Sequence, residues 1–111
     1  MSRYSEGVRV EHLVIDDLRA NGYQCIRASS SKGVADVVAV KVGEVVLVNV
    51  KRTTMPGPAE RLALWRLRWD CVLPVVALKP LRCPIEYRLL TGPGPKEWVP
   101  WTPDEALEGA S

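Results

Sequence analysis

Apolar and polar positions alternate along this chain with periods that change several times, and each change marks a new element. Between Gly7 and Asn21 the residues Val10, Leu13, Val14 and Leu18 recur at helical spacing, while Arg9, Asp16, Asp17 and Arg19 can take the wet side. Ser5 with Glu6 offers an N-cap, and Gly22 stands where a left-handed C-terminal cap is wanted. A short strand is predicted over Tyr23 to Ala28, followed by the polar turn Ser29-Ser30-Ser31-Lys32-Gly33. Two valine-rich segments, Ala35 to Val42 and Glu44 to Lys51, flank Gly43 and read as a hairpin. Val45 to Val50 is almost continuously apolar, as expected of a central strand covered on both faces. Asn49 interrupts that run, and a polar side chain there must find partners or bear a desolvation cost.

Thr53-Thr54-Met55-Pro56-Gly57-Pro58 is a loop, after which Ala59 to Asp70 reads as a second helix. Its apolar residues Leu62, Leu64, Trp65, Leu67 and Trp69 are not confined to one stripe, so one face is expected on the sheet and another against a second subunit. The two tryptophans read as core or subunit contact rather than as platforms for stacked bases. Cys71 to Leu78 and Ile85 to Leu90 are two further strands, and Thr91 to Pro95 is a proline- and glycine-rich connection. Thr102-Pro103-Asp104-Glu105 carries a capping-box pattern that predicts a short final helix. The pattern describes one α/β domain over residues 1–111, ending in a short acidic segment, 97–111, with no internal repeat and no dividing linker.

Composition narrows the class. With 47% hydrophobic and 25% charged residues in 111, the chain is ordinary globular material. No apolar run reaches the roughly 20 residues a membrane helix needs, and Met1 to Glu6 has no secretory character. Cys25, Cys71 and Cys83 are widely and irregularly spaced and, with the single His12, form no zinc motif; free buried thiols in a cytoplasmic protein are expected. A net charge of +2 hides an asymmetry. All 15 basic residues lie at or before Lys96, whereas four of the 13 acidic ones (Glu97, Asp104, Glu105, Glu108) lie beyond it. The excess over the first 96 residues is compatible with a polyanionic partner.

Four positions then fall in an informative order. Glu11 lies on the first helix, Asp36 opens a strand after a polar turn, and Asn49 and Lys51 end the next strand. Residues i and i+2 of a strand share a face, so Asn49 and Lys51 project together, and Asp36 on the antiparallel neighbour can lie beside them. Taken singly, each has a plainer reading: a solvated helix carboxylate, the close of a turn, a satisfied polar pair at a strand end. Their joint order is what carries information.

The arrangement resembles the PD-(D/E)XK nuclease signature, and within it the archaeal-type Holliday junction resolvases. The resemblance covers residues 5 to about 90. It rests on Gly7 with Glu11 four residues on, a helix ending near Gly22, Arg27, Ser31-Lys32, Asp36-Val37-Val38-Ala39 and the strand end Asn49-Val50-Lys51. It implies a restriction-endonuclease-like fold, a mixed central β-sheet flanked by helices. It also implies metal-dependent hydrolysis of DNA phosphodiesters, with Mg²⁺ or Mn²⁺ held by Asp36, Asn49 and the Val50 carbonyl and with Glu11 reaching the metal or its water shell. By the same resemblance Lys51 orients the water or stabilises the phosphorus centre, and Ser31 and Arg27 contact the scissile phosphate.

A junction resolvase implies branched DNA as partner, a homodimer with two matched sites, and roles in recombination and repair; no small-molecule cofactor is expected. Arg3, Arg9, Arg27, Lys32, Arg52 and Arg61, with Arg66 and Arg68, are the candidates for backbone contacts. The departure is Asn49, where the family carries a second acid: an amide oxygen can ligate a hard cation but brings no charge. Glu44 or Glu60 is the alternative source of that acid. The competing expectations are a non-catalytic module that binds branched DNA through a degenerate site, and a nuclease acting on other DNA structures.

Overall fold

The structure, a computed structural model, describes residues 3–28 and 33–103, with side chains from residue 7 onward. Helix α1 (Arg3–Ala20) is followed by strands β1 (Gln24–Arg27), β2 (Val37–Lys41) and β3 (Glu44–Lys51). Helix α2 (Pro58–Arg66) then precedes β4 (Val72–Leu78), β5 (Glu86–Leu90) and β6 (Trp98–Trp101). The six strands form one sheet in the order β1-β2-β3-β4-β5-β6, antiparallel throughout except for the parallel pair β3–β4. That pair needs a crossover, and α2 provides it.

The valine-rich hairpin forms as the pattern predicts. Lys41 pairs with Glu44 across Val42-Gly43, and Gly43 adopts the positive φ of 80° that closes the turn. Gly22, with a φ of 93°, ends α1 in the left-handed cap expected of it. The alternation along β3 divides the interior. Val46 and Val48 join Val14, Ile15 and Leu18 of α1, together with Val37, Ala39, Val75 and Ala77, in one core. Leu47 turns to the opposite face, where Leu64 of α2 packs with Val76, Leu78 and Leu90. The continuous apolar run of β3 thus reflects burial from both sides.

Leu64 is fully buried and anchors a helix of only nine residues. Leu64→Ala is expected to lower stability by about 2–5 kcal/mol, read as a fall in the urea midpoint at unchanged slope; a neutral result would mean that α2 is not held by this contact.

Several expectations are corrected. α1 begins at Arg3, so Ser5 lies within the helix rather than capping it. α2 ends at Arg66, four residues short of Asp70, because Trp69 and Val72 exchange backbone hydrogen bonds in a tight turn that aims the chain into β4. The sequence pattern missed β6, which contains Pro100. β6 is an edge, where proline is tolerated; Trp101 packs edge-on against Tyr87 at 5.5 Å, and the Arg88 guanidinium lies over Trp98 at 3.9 Å. Cys71 and Cys83 are exposed and only Cys25 is partly buried, so the thiols are free without all being interior. The predicted final helix from Thr102 falls largely outside the described residues. No helix among the described residues is long and apolar enough to cross a membrane.

Candidate active site

Because β2 and β3 run antiparallel, the entry to β2 lies beside the end of β3, and the sequence-predicted residues converge there. Asp36 immediately precedes β2. Its amide donates to the Val48 carbonyl and its carbonyl accepts from the Ala28 amide, both at 2.8 Å, so its backbone is held on both sides. Its carboxylate oxygen Oδ2 accepts the Val50 amide at 2.8 Å. Burial raises the Asp36 pKa above its ordinary value; the Val50 hydrogen bond opposes this, Glu11 adds to it, Lys51 opposes it and Glu60 adds to it. Such effects weaken with distance, so they also identify the charges that surround this carboxyl: Glu11, Lys51 and Glu60.

Asn49 and Lys51 share the face of Leu47 and point toward α2. The Asn49 amide nitrogen donates to the Val34 carbonyl at 2.8 Å and to Glu60 Oε2 at 3.4 Å. Lys51 Nζ donates to both carboxylate oxygens of Glu60, at 3.3 and 3.2 Å. Asn49 is 2% exposed, the one buried polar side chain among the described residues, and its Oδ1 has no hydrogen-bond partner. An unpaired buried acceptor is costly and calls for an explanation. Glu44 stands at the opposite end of β3, where it accepts the Tyr23 hydroxyl. Of the two alternative acids, Glu60 is therefore the one at the site.

Glu11 projects from α1 and is held by Arg27 of β1, whose Nε lies 2.7 Å from Glu11 Oε1. The cluster thus draws on α1, β1, the entry to β2, the end of β3 and the first turn of α2. Gly57 in extended conformation and Pro58 start α2 and put Glu60 in its first turn, where the helix dipole favours a negative charge.

These residues fit a hard, oxygen-seeking cation. Asp36 offers a carboxylate, Asn49 an unpartnered amide oxygen and Val50 a backbone carbonyl from between the two strand-end side chains, an all-oxygen set of the kind Mg²⁺ or Mn²⁺ takes. Among the described residues no three His, Cys, Asp or Glu side chains form a metal-holding group, so the set leans on the amide oxygen.

The basic residues separate into two kinds. Arg9 and Arg52 line a groove of about 310 Å³ with Lys79 and Arg82, over an apolar floor of Val10, Leu13, Pro80 and Leu81. Lys79 and Arg82 were not singled out from the sequence, since nothing in the pattern brings the β4–β5 connection beside α1. Away from this groove, Arg61 donates to the carbonyls of Pro56 and Pro93, and Arg68 stacks on Trp65 at 3.9 Å. Arg27 faces Glu11. Arg3, Ser31 and Lys32 lie outside the residues whose side chains are described.

The model of the family described as archaeal Holliday junction resolvase (Hjc) matches residues 2–56, a segment that contains Glu11, Asp36, Asn49 and Lys51. The structure also matches that of Archaeoglobus fulgidus Hjc, a Holliday junction resolvase from an archaeal hyperthermophile, with a TM-score of 0.63 at 25% identity, over 74% of this chain and 70% of that one. Over residues 2–56 the chain is similar to the archaeal Holliday junction resolvases. This is a family of nucleases, and its fold is the mixed sheet with flanking helices described above. No curated protein matches the chain. The matched segment of the resolvase family ends before α2, so Glu60 lies beyond it.

Proposed function

We propose that this protein is a metal-dependent, structure-selective endonuclease that resolves four-way DNA junctions by paired phosphodiester hydrolysis. The observation that carries the reading is the buried, unpartnered Oδ1 of Asn49 at the strand end that also presents Lys51, beside the clamped carboxylate of Asp36. When bound, the metal supplies Lewis-acid stabilisation of the phosphoryl oxygens and an ionised water. Asp36, Asn49 and the Val50 carbonyl would hold it, with Glu11, fixed by Arg27, as a further acid beside them.

Lys51 orients the attacking water and offsets the charge that develops on phosphorus. Ser31 is assigned to the scissile phosphate on the resemblance alone. The groove of Arg9, Arg52, Lys79 and Arg82 suits a phosphate backbone, read by shape and charge rather than by base edges. Two cuts on a four-way junction call for a two-fold homodimer. The exposed Leu62, Leu67 and Trp69 on and just beyond α2 support an isologous contact there.

The test is cleavage of a labelled four-way junction beside a linear duplex of the same sequence, in Mg²⁺ and separately in Mn²⁺. Paired nicks on the junction alone are expected. Salt-sensitive binding without cutting in either metal would replace this reading with the non-catalytic branched-DNA module, which the missing strand acid at position 49 favours.

A further inference from the structure

The strand end carries Asn49 in place of an acid, and a carboxylate that no strand residue supplies stands against it from another element. Glu60 lies within 3.4 Å of the Asn49 amide nitrogen and within 3.3 Å of Lys51 Nζ, and its field is felt at Asp36. We infer that the second acid of the site has moved from the strand to the first turn of α2: Glu60 supplies the negative charge toward the metal, and Asn49 supplies a neutral oxygen. The inference rests on the metal-dependent reading above and goes beyond it in naming the residue that makes an asparagine workable.

The geometry favours this over a plain ion pair between Glu60 and Lys51. Asn49 turns its donor nitrogen toward Glu60 and the Val34 carbonyl, which leaves Oδ1 buried and unpaired. An asparagine that served only to brace Glu60 would have no reason to bury a bare acceptor. One that serves a cation would. The amide also explains how the arrangement stays folded without metal. A glutamate at position 49 would set a buried negative charge against the carboxylate of Glu60, whereas the amide donates to it. The pair is therefore reciprocal: with the acid on the helix, the strand position is best neutral, and with the acid on the strand, the helix position is.

Mn²⁺ binding to the purified protein, by calorimetry or by loss of the free-ion resonance, tests this without reference to cleavage. The comparison is among wild type, Glu60→Gln, Lys51→Met and the double variant Asn49→Glu/Glu60→Gln, each checked by circular dichroism. Glu60→Gln is expected to bind Mn²⁺ about 10-fold more weakly or worse. Its side chain is 45% exposed, so the isosteric change leaves the fold intact. Lys51→Met should bind at least as tightly as wild type, because a neighbouring cation is gone. The double variant, with the carboxylate returned to the strand, should recover most of the loss.

Wild-type affinity in Glu60→Gln would reduce Glu60 to the partner of Lys51 and overturn the inference while leaving the metal-dependent reading in place. A folded double variant no better than Glu60→Gln would overturn the exchange between the two positions. If the double variant does not fold, the Glu60→Gln result decides alone. Absence of Mn²⁺ binding in wild type would remove the metal-dependent reading itself.

Discussion

Asp36→Asn is expected to abolish junction cleavage and, in the absence of divalent metal, to make the protein more stable at neutral pH. Loss of cleavage follows from removing the only charge that Asp36 brings to the metal, a loss of about a thousandfold or more if that charge contributes several kcal/mol. The gain in stability follows from the raised pKa, whose first cause is burial. The folded protein holds its Asp36 proton to higher pH than the unfolded chain does. Over the window from the ordinary aspartate value to the raised one, the unfolded state therefore binds fewer protons, and stability falls as pH rises. Above the window the full cost of the buried charge is present.

Asparagine removes that cost and keeps an oxygen for the Val50 amide, which alanine would leave without its acceptor. Thermal melts in a chelator at pH 7 and near pH 4, beside single-turnover cleavage, give both readouts. The advantage of the variant over wild type should be larger at pH 7. A variant less stable than wild type at pH 7 would mean that the Asp36 charge supports the fold. Since metal requires the ionised carboxylate, metal affinity of the wild type should rise through the same window.

Lys51→Met is expected to reduce the cleavage rate by about 10²- to 10³-fold, the usual cost of removing one positioned donor to a developing negative charge. Junction affinity should change little, because the groove assigned to the phosphate backbone is lined by Arg9, Arg52, Lys79 and Arg82 and not by Lys51. Lys51 is held by both oxygens of Glu60 rather than lying free, so its ammonium is fixed in place before substrate arrives. A cleavage rate within about threefold of wild type at saturating metal would assign Lys51 to the ion pair alone.

Much of this molecule is legible in the order of its residues, and the parts that are not have specific reasons. The hairpin about Gly43, the two-sided burial of β3 and the convergence of Asp36 with Asn49 and Lys51 follow from period-two alternation and a two-residue turn, which are local properties of the chain. β6 was not legible: its four residues gain their structure from the β5 ladder and from Tyr87 and Arg88, all distant in pattern though near in space. The early end of α2 is likewise imposed by the turn into the parallel strand, against a local pattern that would have continued the helix.

The site divides along the same line. Sequence by itself determined which residues can carry the chemistry, because residue type and strand register decide that Asn49 and Lys51 face one way and that Asp36 begins the neighbouring strand. Glu44 and Glu60 were equal candidates for the missing acid as long as only spacing was known. The tertiary structure decided between them. β3 is eight residues long, so Glu44 at its start is carried to the far end of the sheet, where it meets Tyr23, while the crossover to β4 folds the first turn of α2 back over the end that bears Asn49 and Lys51. The groove of Arg9, Arg52, Lys79 and Arg82 was decided in the same way: its cations come from three separate stretches of chain that only the assembled sheet and its covering helix bring together.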